Sequence, residues 1–402
     1  MKKRLGISIY PEIAGKEETL EYIKNAHGCG FERIFANLLD FHDTVEGRKK
    51  LDDLKQCLIF SKELGMEVIV DVSPHAYQML KLKPTEFNFF YNLGATGVRL
   101  DEDFNGDIEA ELSKSIIVEL NASTGIETMQ KTLAKGGKAE NLIACHNFYP
   151  MRWTGLKYER FLELSQWYYK KGIKVAAFIT LPESQKGIGP WNVNDGMPTI
   201  EEHRDASLSE QIRHHLATDL ISDIIISQQG TTIEQFKIIK TILDSETDKL
   251  TIEDKEKYRI DDKAFKDISE NYKVKRDLIF ELEEASDITE IEKDIIYKFP
   301  HVPRADINSY FMRSSWPRVV FDKSEIKPRK HNSKMFKPGD VVVLNKKYNR
   351  YMGELHIITK EIPNDGKRNY VGHINKFDHL LFDFASPTRN FKLIKTIKWN
   401  KK

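Results

Sequence analysis

Eight short apolar runs, each followed by polar residues and in most cases by a helical stretch, constrain this chain more than any other feature. The runs are Leu5–Tyr10, Arg33–Ala36, Glu67–Val70, Gly97–Leu100, Ser115–Val118, Asn141–Ala144, Lys174–Ile179 and Asp223–Ile226. Continuous apolar runs of this kind suit strands buried on both faces of a parallel sheet. Between them, segments such as 17–29, 45–64 and 158–171 carry apolar residues three and four apart, the spacing of a helix with one buried face. Gly30, Gly65, Gly94 and Gly172 stand where a helix must turn back toward the next strand. The βα unit thus repeats eight times before residue 245, which predicts a (β/α)8 TIM barrel. An open doubly wound sheet would carry a glycine-rich phosphate loop after its first strand, and Tyr10-Pro-Glu-Ile-Ala-Gly15 is not one. The connection from Leu100 to Ser115 has room for only about two helical turns and is the weakest of the eight units.

A chain of 402 residues exceeds what one core usually organises, so a second domain is expected. After the barrel at 1–245, the charge-rich stretch 246–298 has helical periodicity and reads as a helical bridging segment. From 299 to 402, β-type runs recur between turn residues, at Asp340–Leu344, Glu354–Ile358, Tyr370–Ile374 and Phe391–Ile394, predicting a small all-β domain with 321–336 as an exposed loop. With 62 basic against 61 acidic residues, the chain lacks the broad positive field that attracts nucleic acid or an anionic membrane. Cys29, Cys57 and Cys145 are odd in number and form no CxxC pair, which fits a reducing compartment. The apolar run after the basic Met1–Arg4 is too short for a signal peptide, and no stretch approaches the roughly 20 apolar residues that span a bilayer. A cytoplasmic protein with a small-molecule substrate is expected, and self-association into a homo-oligomer is left open.

TIM-barrel active sites form where the strands end at their C-termini. The residues after the eight runs are Glu12, Asn37, Asp71, His75, Arg99 with Asp101, Glu102 and Asp103, then Glu119, Asn121, Ser123, His146, Asn147, Tyr149, Thr180, Ser227 and Gln228. Arg99-Leu-Asp101 and Glu119-Leu-Asn121 place carboxylates on neighbouring strands, which lie roughly 4.8 Å apart in a sheet. Glycoside hydrolysis needs such a pair, one protonated for the leaving oxygen and one ionised to attack or to activate water, and crowding divides their proton affinities. Asp101 and Glu119 are the candidates, with the roles unassigned; the competing reading pairs each with a base such as Arg99, and Glu102 and Asp103 read as loop carboxylates. His146-Asn-Phe-Tyr-Pro150 offers hydrogen-bonding groups and an aromatic face for a pyranose. Asp71, His75 and His146 form no tight ligand cluster, so neither a metal nor another cofactor is expected. The long polar loop from Gly187 to Arg204 reads as a lid, and Arg304-Ala-Asp306 with Tyr310–Ser315 concentrates groups able to clamp a phosphate.

Together, Leu5–Pro11, Arg99-Leu-Asp101, His146–Pro150, the Gly-Pro to Pro-Thr-Ile-Glu-Glu-His-Arg204 loop and Arg304-Ala-Asp306 to Arg313-Ser314 resemble the 6-phospho-N-acetylmuramidase family, essentially end to end. The resemblance implies a TIM barrel followed by a cyclophilin-like β-barrel domain. It also implies hydrolysis of 6-phospho-N-acetylmuramic acid linked β-1,4 to N-acetylglucosamine in peptidoglycan recycling. Carried over by position, it supports Asp101 and Glu119 as the acidic centre. Asn37, Asp71, Arg99, Asn121, His146, Asn147, Tyr149 and Gln228 become expected substrate contacts, and Gly189, Arg204, Arg304, Arg313 and Ser314 candidates for holding the phosphate or lactyl group. The stretch Trp191–Asp195 departs from the family pattern. The rival readings are a sugar-phosphate isomerase or epimerase on the same barrel, which usually needs a metal, and a non-catalytic sugar-phosphate-binding protein.

Overall fold

The computed structural model describes residues 2–39, 42–100, 102–182, 187–191, 195–245, 249–270, 276–298, 301–321 and 324–396. The chain divides after Asp244 into two compact units. In the first, β1 (Arg4–Ile9), β2 (Arg33–Leu38), β3 (Glu67–Val72), β4 (Gly97–Leu100), β5 (Ile117–Asn121), β6 (Leu142–Cys145), β7 (Lys174–Ile179) and β8 (Asp223–Ile226) form a closed parallel barrel in sequence order. Closure comes from β1 pairing with β8, Arg4 opposite Asp223.

Helices return the chain between strands, and local chemistry sets their ends. Thr44 accepts a hydrogen bond from the Gly47 amide to start the helix Val45–Glu63, and Ser207 with Glu210 forms a reciprocal capping box on Leu208–Thr218. Gly94 ends Phe87–Leu93 at φ 107°, where a Cβ would lie 2.7 Å from the Ile59 amide, so only glycine fits. The fourth connection holds the short helix Asp107–Leu112. Inside the barrel, Phe35, Cys145, Ala176, Phe178 and Ile225 pack as one apolar cluster, with Phe35 and Phe178 edge to face at 5.0 Å. Burying each such phenyl ring is worth about 1.5–3 kcal/mol.

The strands overrun the apolar runs that announce them. Asn37, Asp71, Glu119 and Asn121, expected just beyond strand ends, are all strand residues, in register as Asn37 with Asp71 and Arg99 with Glu119.

The second unit is built on a mixed sheet of β9 (Leu278–Glu284), β10 (Phe311–Ser314), β12 (Asp340–Leu344), β13 (Leu355–Ile358), β15 (Arg368–Ile374) and β16 (Phe391–Lys395), in the order β10-β13-β12-β15-β9-β16. A two-stranded ribbon joins β11 (Met335–Phe336) to β14 (Ile362–Pro363). This corrects the reading of 246–298 as a helical bridge: it holds helices, but its Leu278–Leu282 is a buried strand paired in parallel with β16. The loop expected at 321–336 is not freely exposed either, since Ile326 and Phe336 are buried and the Arg329 amide donates to Asn369. Among the described residues, no helix is long and apolar enough to cross a membrane, and all three cysteines are free thiols.

Candidate active site

At the C-terminal mouth of the barrel, Arg99 on β4 donates to Asp71 Oδ2 on β3 at 2.7 Å and to Asn147 Oδ1 beyond β6. The Asn147 amide donates to Ser123 Oγ at 2.8 Å, and the Ser123 amide to Asn121 Oδ1 at 2.9 Å. The Tyr149 phenol joins this group: burial raises its pKa, while neighbouring Ser123 and Arg99 act in the opposite sense. Asp71, Arg99, Asn121, Asn147 and Tyr149 are thereby gathered on the β3–β6 side. On the β1–β2 side, Asn37 lines a cleft of about 450 Å3 with Glu12, His42, Lys50 and Pro190. Burial pushes the Glu12 carboxyl above its ordinary range, with its helical backbone and Lys50 pulling the other way.

Glu119, beside Arg99 on β5, turns its side chain into the barrel. Its carboxylate is fully buried and accepts a charge-assisted bond from Arg33. Arg33 also donates to Asp223 Oδ2 at 2.5 Å, Asp223 takes both Nε and Nη2 of Arg4 at 2.8 Å, and Arg4 reaches Glu67 at 2.8 and 3.1 Å. The barrel interior therefore holds a continuous ion chain, Glu67–Arg4–Asp223–Arg33–Glu119, drawn from five strands. Burial alone would push the Asp223 carboxyl up, but Arg33 and Arg4 outweigh it and hold it below the ordinary carboxylate range. Asp101, which directly follows β4, lies outside the described residues. Glu102 is exposed, and Asp103 is a loop carboxylate accepting from Thr128 at 2.5 Å.

Several expected contacts serve the scaffold instead. His146 is sealed behind the strand, its Nε2 2.8 Å from Ser165 Oγ and its ring 4.8 Å from Phe161. Gln228 ties two strand ends together by accepting from Thr180 Oγ1 at 2.7 Å and from the Leu181 amide at 2.9 Å. Arg204, 2% exposed, spends its guanidinium on Glu201 and on the carbonyls of Tyr149, Met151, Asp195 and Gly196, leaving no donor for a phosphate. Gly189 sits where a Cβ would press on Met197 at 2.8 Å, in a segment fixed by mutual backbone bonds between Ile188 and Gln229. In the second unit, Ser314 is buried 2.9 Å from His301 Nδ1, Arg313 makes a two-pronged bond to Glu354 and Arg304 a surface pair with Asp306. Among the described residues, no cluster of three or more His, Cys, Asp or Glu could hold a metal.

Two aromatic residues lie in segments that the sequence singles out, the aromatic face and the lid, without being named there as site residues. Phe148 packs on Phe35 and Phe178 in the barrel top and on Trp191 at 6.1 Å, and Trp191 is 43% exposed, so an aromatic wall climbs from the core to the lip. The available signal was an aromatic residue alternating with polar ones at a strand end, and a tryptophan in a polar loop.

Behind this wall, His203, His214 and His215 are buried with His146, with 2.5 Å between His203 Nε2 and His214 Nδ1. Burial lowers the affinity of all four for protons, to about 4 for His214 and about 3 for His146. Unfolded histidine protonates near pH 6.5. Below that pH the unfolded chain therefore binds more protons than the folded one, and stability is lost as the pH falls from about 6.5 toward about 4. Thermal unfolding should show a falling midpoint between pH 7 and pH 5, above the range in which ordinary carboxylates titrate; a flat midpoint would contradict the neutral cluster.

A closed parallel barrel with ionic, amide and aromatic groups converging on its C-terminal mouth defines a TIM-barrel enzyme. Comparison with family models is more specific: residues 5–241 match the N-terminal and residues 278–394 the C-terminal model of 6-phospho-N-acetylmuramidase. The chain belongs to the 6-phospho-N-acetylmuramidase family, and is thus a glycosidase. The crystal structure of an uncharacterized B. cereus protein matches at 33% identity and a TM-score of 0.80, over 98% of this chain and 100% of that one. A conserved Enterococcus faecalis protein with an unknown function shares the fold at 22% identity and a TM-score of 0.67, over 98% and 96% of the two chains. No curated protein matches.

Proposed function

We propose that this enzyme hydrolyses the β-1,4 bond between 6-phospho-N-acetylmuramic acid and N-acetylglucosamine, in the cytoplasm, during peptidoglycan recycling. The observation that carries the reading is the match of both halves of one family, in order, to the two units of the chain. The mouth supports it chemically. Asn121, Asn147 and Tyr149 supply hydrogen bonds for hydroxyl and acetamide groups, Phe148 and Trp191 a stacking face, and Arg99 a fixed positive charge for an anionic sugar.

The acidic centre proposed for strands four and five takes a modified form. Asp101 at the end of β4 is the ionised carboxylate, which attacks the anomeric carbon or draws a proton from water. Glu119 does not touch the sugar but fixes the charge balance beneath it through Arg33. The proton for the leaving oxygen comes from Glu12, whose burial favours the protonated form that an acid needs. The C1–O bond then breaks, the Glu12 proton passes to the N-acetylglucosamine oxygen, water gives its hydroxyl to C1, and the proton released from that water returns to the carboxylate pair, restoring protonated Glu12.

Incubation with the 6-phosphorylated and the unphosphorylated disaccharide, followed by product identification, tests this. Only the first should be cleaved, into 6-phospho-N-acetylmuramic acid and N-acetylglucosamine. Equal cleavage of both would remove the phosphate from the specificity, and cleavage of neither would remove the reading.

A further inference from the structure

The turn after β6 presents a tryptophan in a conformation that bulky residues rarely adopt. Trp153 has φ +71° and is 79% exposed. A left-handed backbone at such a residue is strained and persists only where its surroundings enforce it. The enforcement is visible: Glu201 accepts from the Trp153 amide at 2.8 Å and from the Gly155 amide at 2.7 Å. Arg204 grips the same carboxylate at 2.6 and 2.7 Å, and further donors of its guanidinium bind the carbonyls of Tyr149 and Met151, which lead into the turn. Gly155 is part of the brace, since a Cβ there would lie 2.6 Å from the Glu201 amide. Arg152 lies 5.7 Å from the indole and is bound to Asp205 by two bonds of 3.0 and 3.1 Å, so its charge is already matched.

A buried arginine is thus committed to holding an indole rigidly in water. The indole is held out in solvent rather than packed against the barrel. The same loop begins at Asn147 and Tyr149, which belong to the mouth, and Trp153 follows four residues after Tyr149. N-acetylglucosamine is neutral, with an apolar C–H face that suits a bare indole.

We infer that Trp153 is a stacking platform for the leaving-group N-acetylhexosamine, positioned by Glu201 and Arg204. The inference rests on the proposed hydrolysis. Its test compares Trp153→Ala with the parent on the 6-phosphorylated disaccharide and on 4-methylumbelliferyl 6-phospho-N-acetylmuramide, which lacks the second sugar. Loss of one aromatic stack should raise KM for the disaccharide about tenfold, with kcat and the KM for the aryl substrate changed less than about twofold. Trp153→Tyr should restore most of the disaccharide KM, which separates stacking from a general loosening of the loop. Equal KM changes on both substrates, or none on either, would overturn the platform while leaving the hydrolysis intact. A parent enzyme that cleaves neither substrate would end the hydrolytic reading, and the platform with it. A dimer that Trp153→Ala dissolves, with KM unchanged, would overturn the inference by assigning the indole to a protein interface.

Discussion

Asp101→Asn should lower kcat on the phosphorylated disaccharide by about a thousandfold, within the range that removing a positioned acid–base or charged catalytic group costs, with KM nearly unchanged. The amide keeps the size and most of the hydrogen-bonding capacity of the carboxylate but carries no charge. It can still hold a sugar, but cannot support the positive charge that grows on the anomeric carbon or activate a nucleophile. Glu12→Gln makes the complementary test: as the proton donor it should matter greatly for the poor N-acetylglucosamine leaving group and far less for methylumbelliferone, which departs without protonation. Initial rates and KM on the two substrates measure both effects. An Asp101→Asn enzyme within tenfold of the parent would move the acidic centre away from β4.

Arg33→Met should destabilise the barrel by about 3–5 kcal/mol, because it leaves the fully buried Glu119 carboxylate without its cation while Asp223 still keeps Arg4. That is a large part of the 5–15 kcal/mol or so that separates folded from unfolded domains, and corresponds to a melting temperature roughly 10 °C lower. Adding Glu119→Leu to the same chain should recover most of the loss, since a buried ion pair exchanged for apolar side chains of similar volume costs little. Calorimetry of the three proteins decides it; a single variant within 2 °C or so of the parent would show that the ion chain contributes no stability. Glu119→Gln read for both stability and turnover also separates a scaffold role from direct catalysis, since a catalytic loss would appear in molecules that remain folded.

How much of this was legible in the sequence follows from which forces act locally. A strand buried on both faces must be apolar along its length, so eight strands could be counted from the primary structure. Where they end could not, because a charged residue inside a parallel barrel looks like the end of a run. Glu119 was read as a tip for this reason, and only Arg33, on a strand three removed from β5, reveals that it points inward. His146 and Arg204 misled in the same way: polar residues beside a mouth suggest substrate, and their partners Ser165 and the carbonyls of distant loops become apparent only when the chain is folded. Leu278–Leu282 sits among charged residues and becomes a strand by pairing with β16, whose sequence lies far downstream. The clustering of Asp71, Arg99, Asn121, Asn147 and Tyr149, by contrast, followed from the barrel's construction, since parallel strands bring all their C-terminal ends to one mouth.

The ion chain also bears on how the barrel assembles. Arg4 belongs to the first strand and Asp223 to the last, and Arg33 relies on the same aspartate. Until β8 docks, Arg4 keeps only Glu67 and Arg33 only Glu119, and the bonds that both make to Asp223 are unmade, so a partial barrel of seven strands lacks the link between its two ion pairs as well as being open along one edge. The final strand acts as a latch, and a nascent polypeptide stays uncommitted until nearly all of its first unit has left the ribosome.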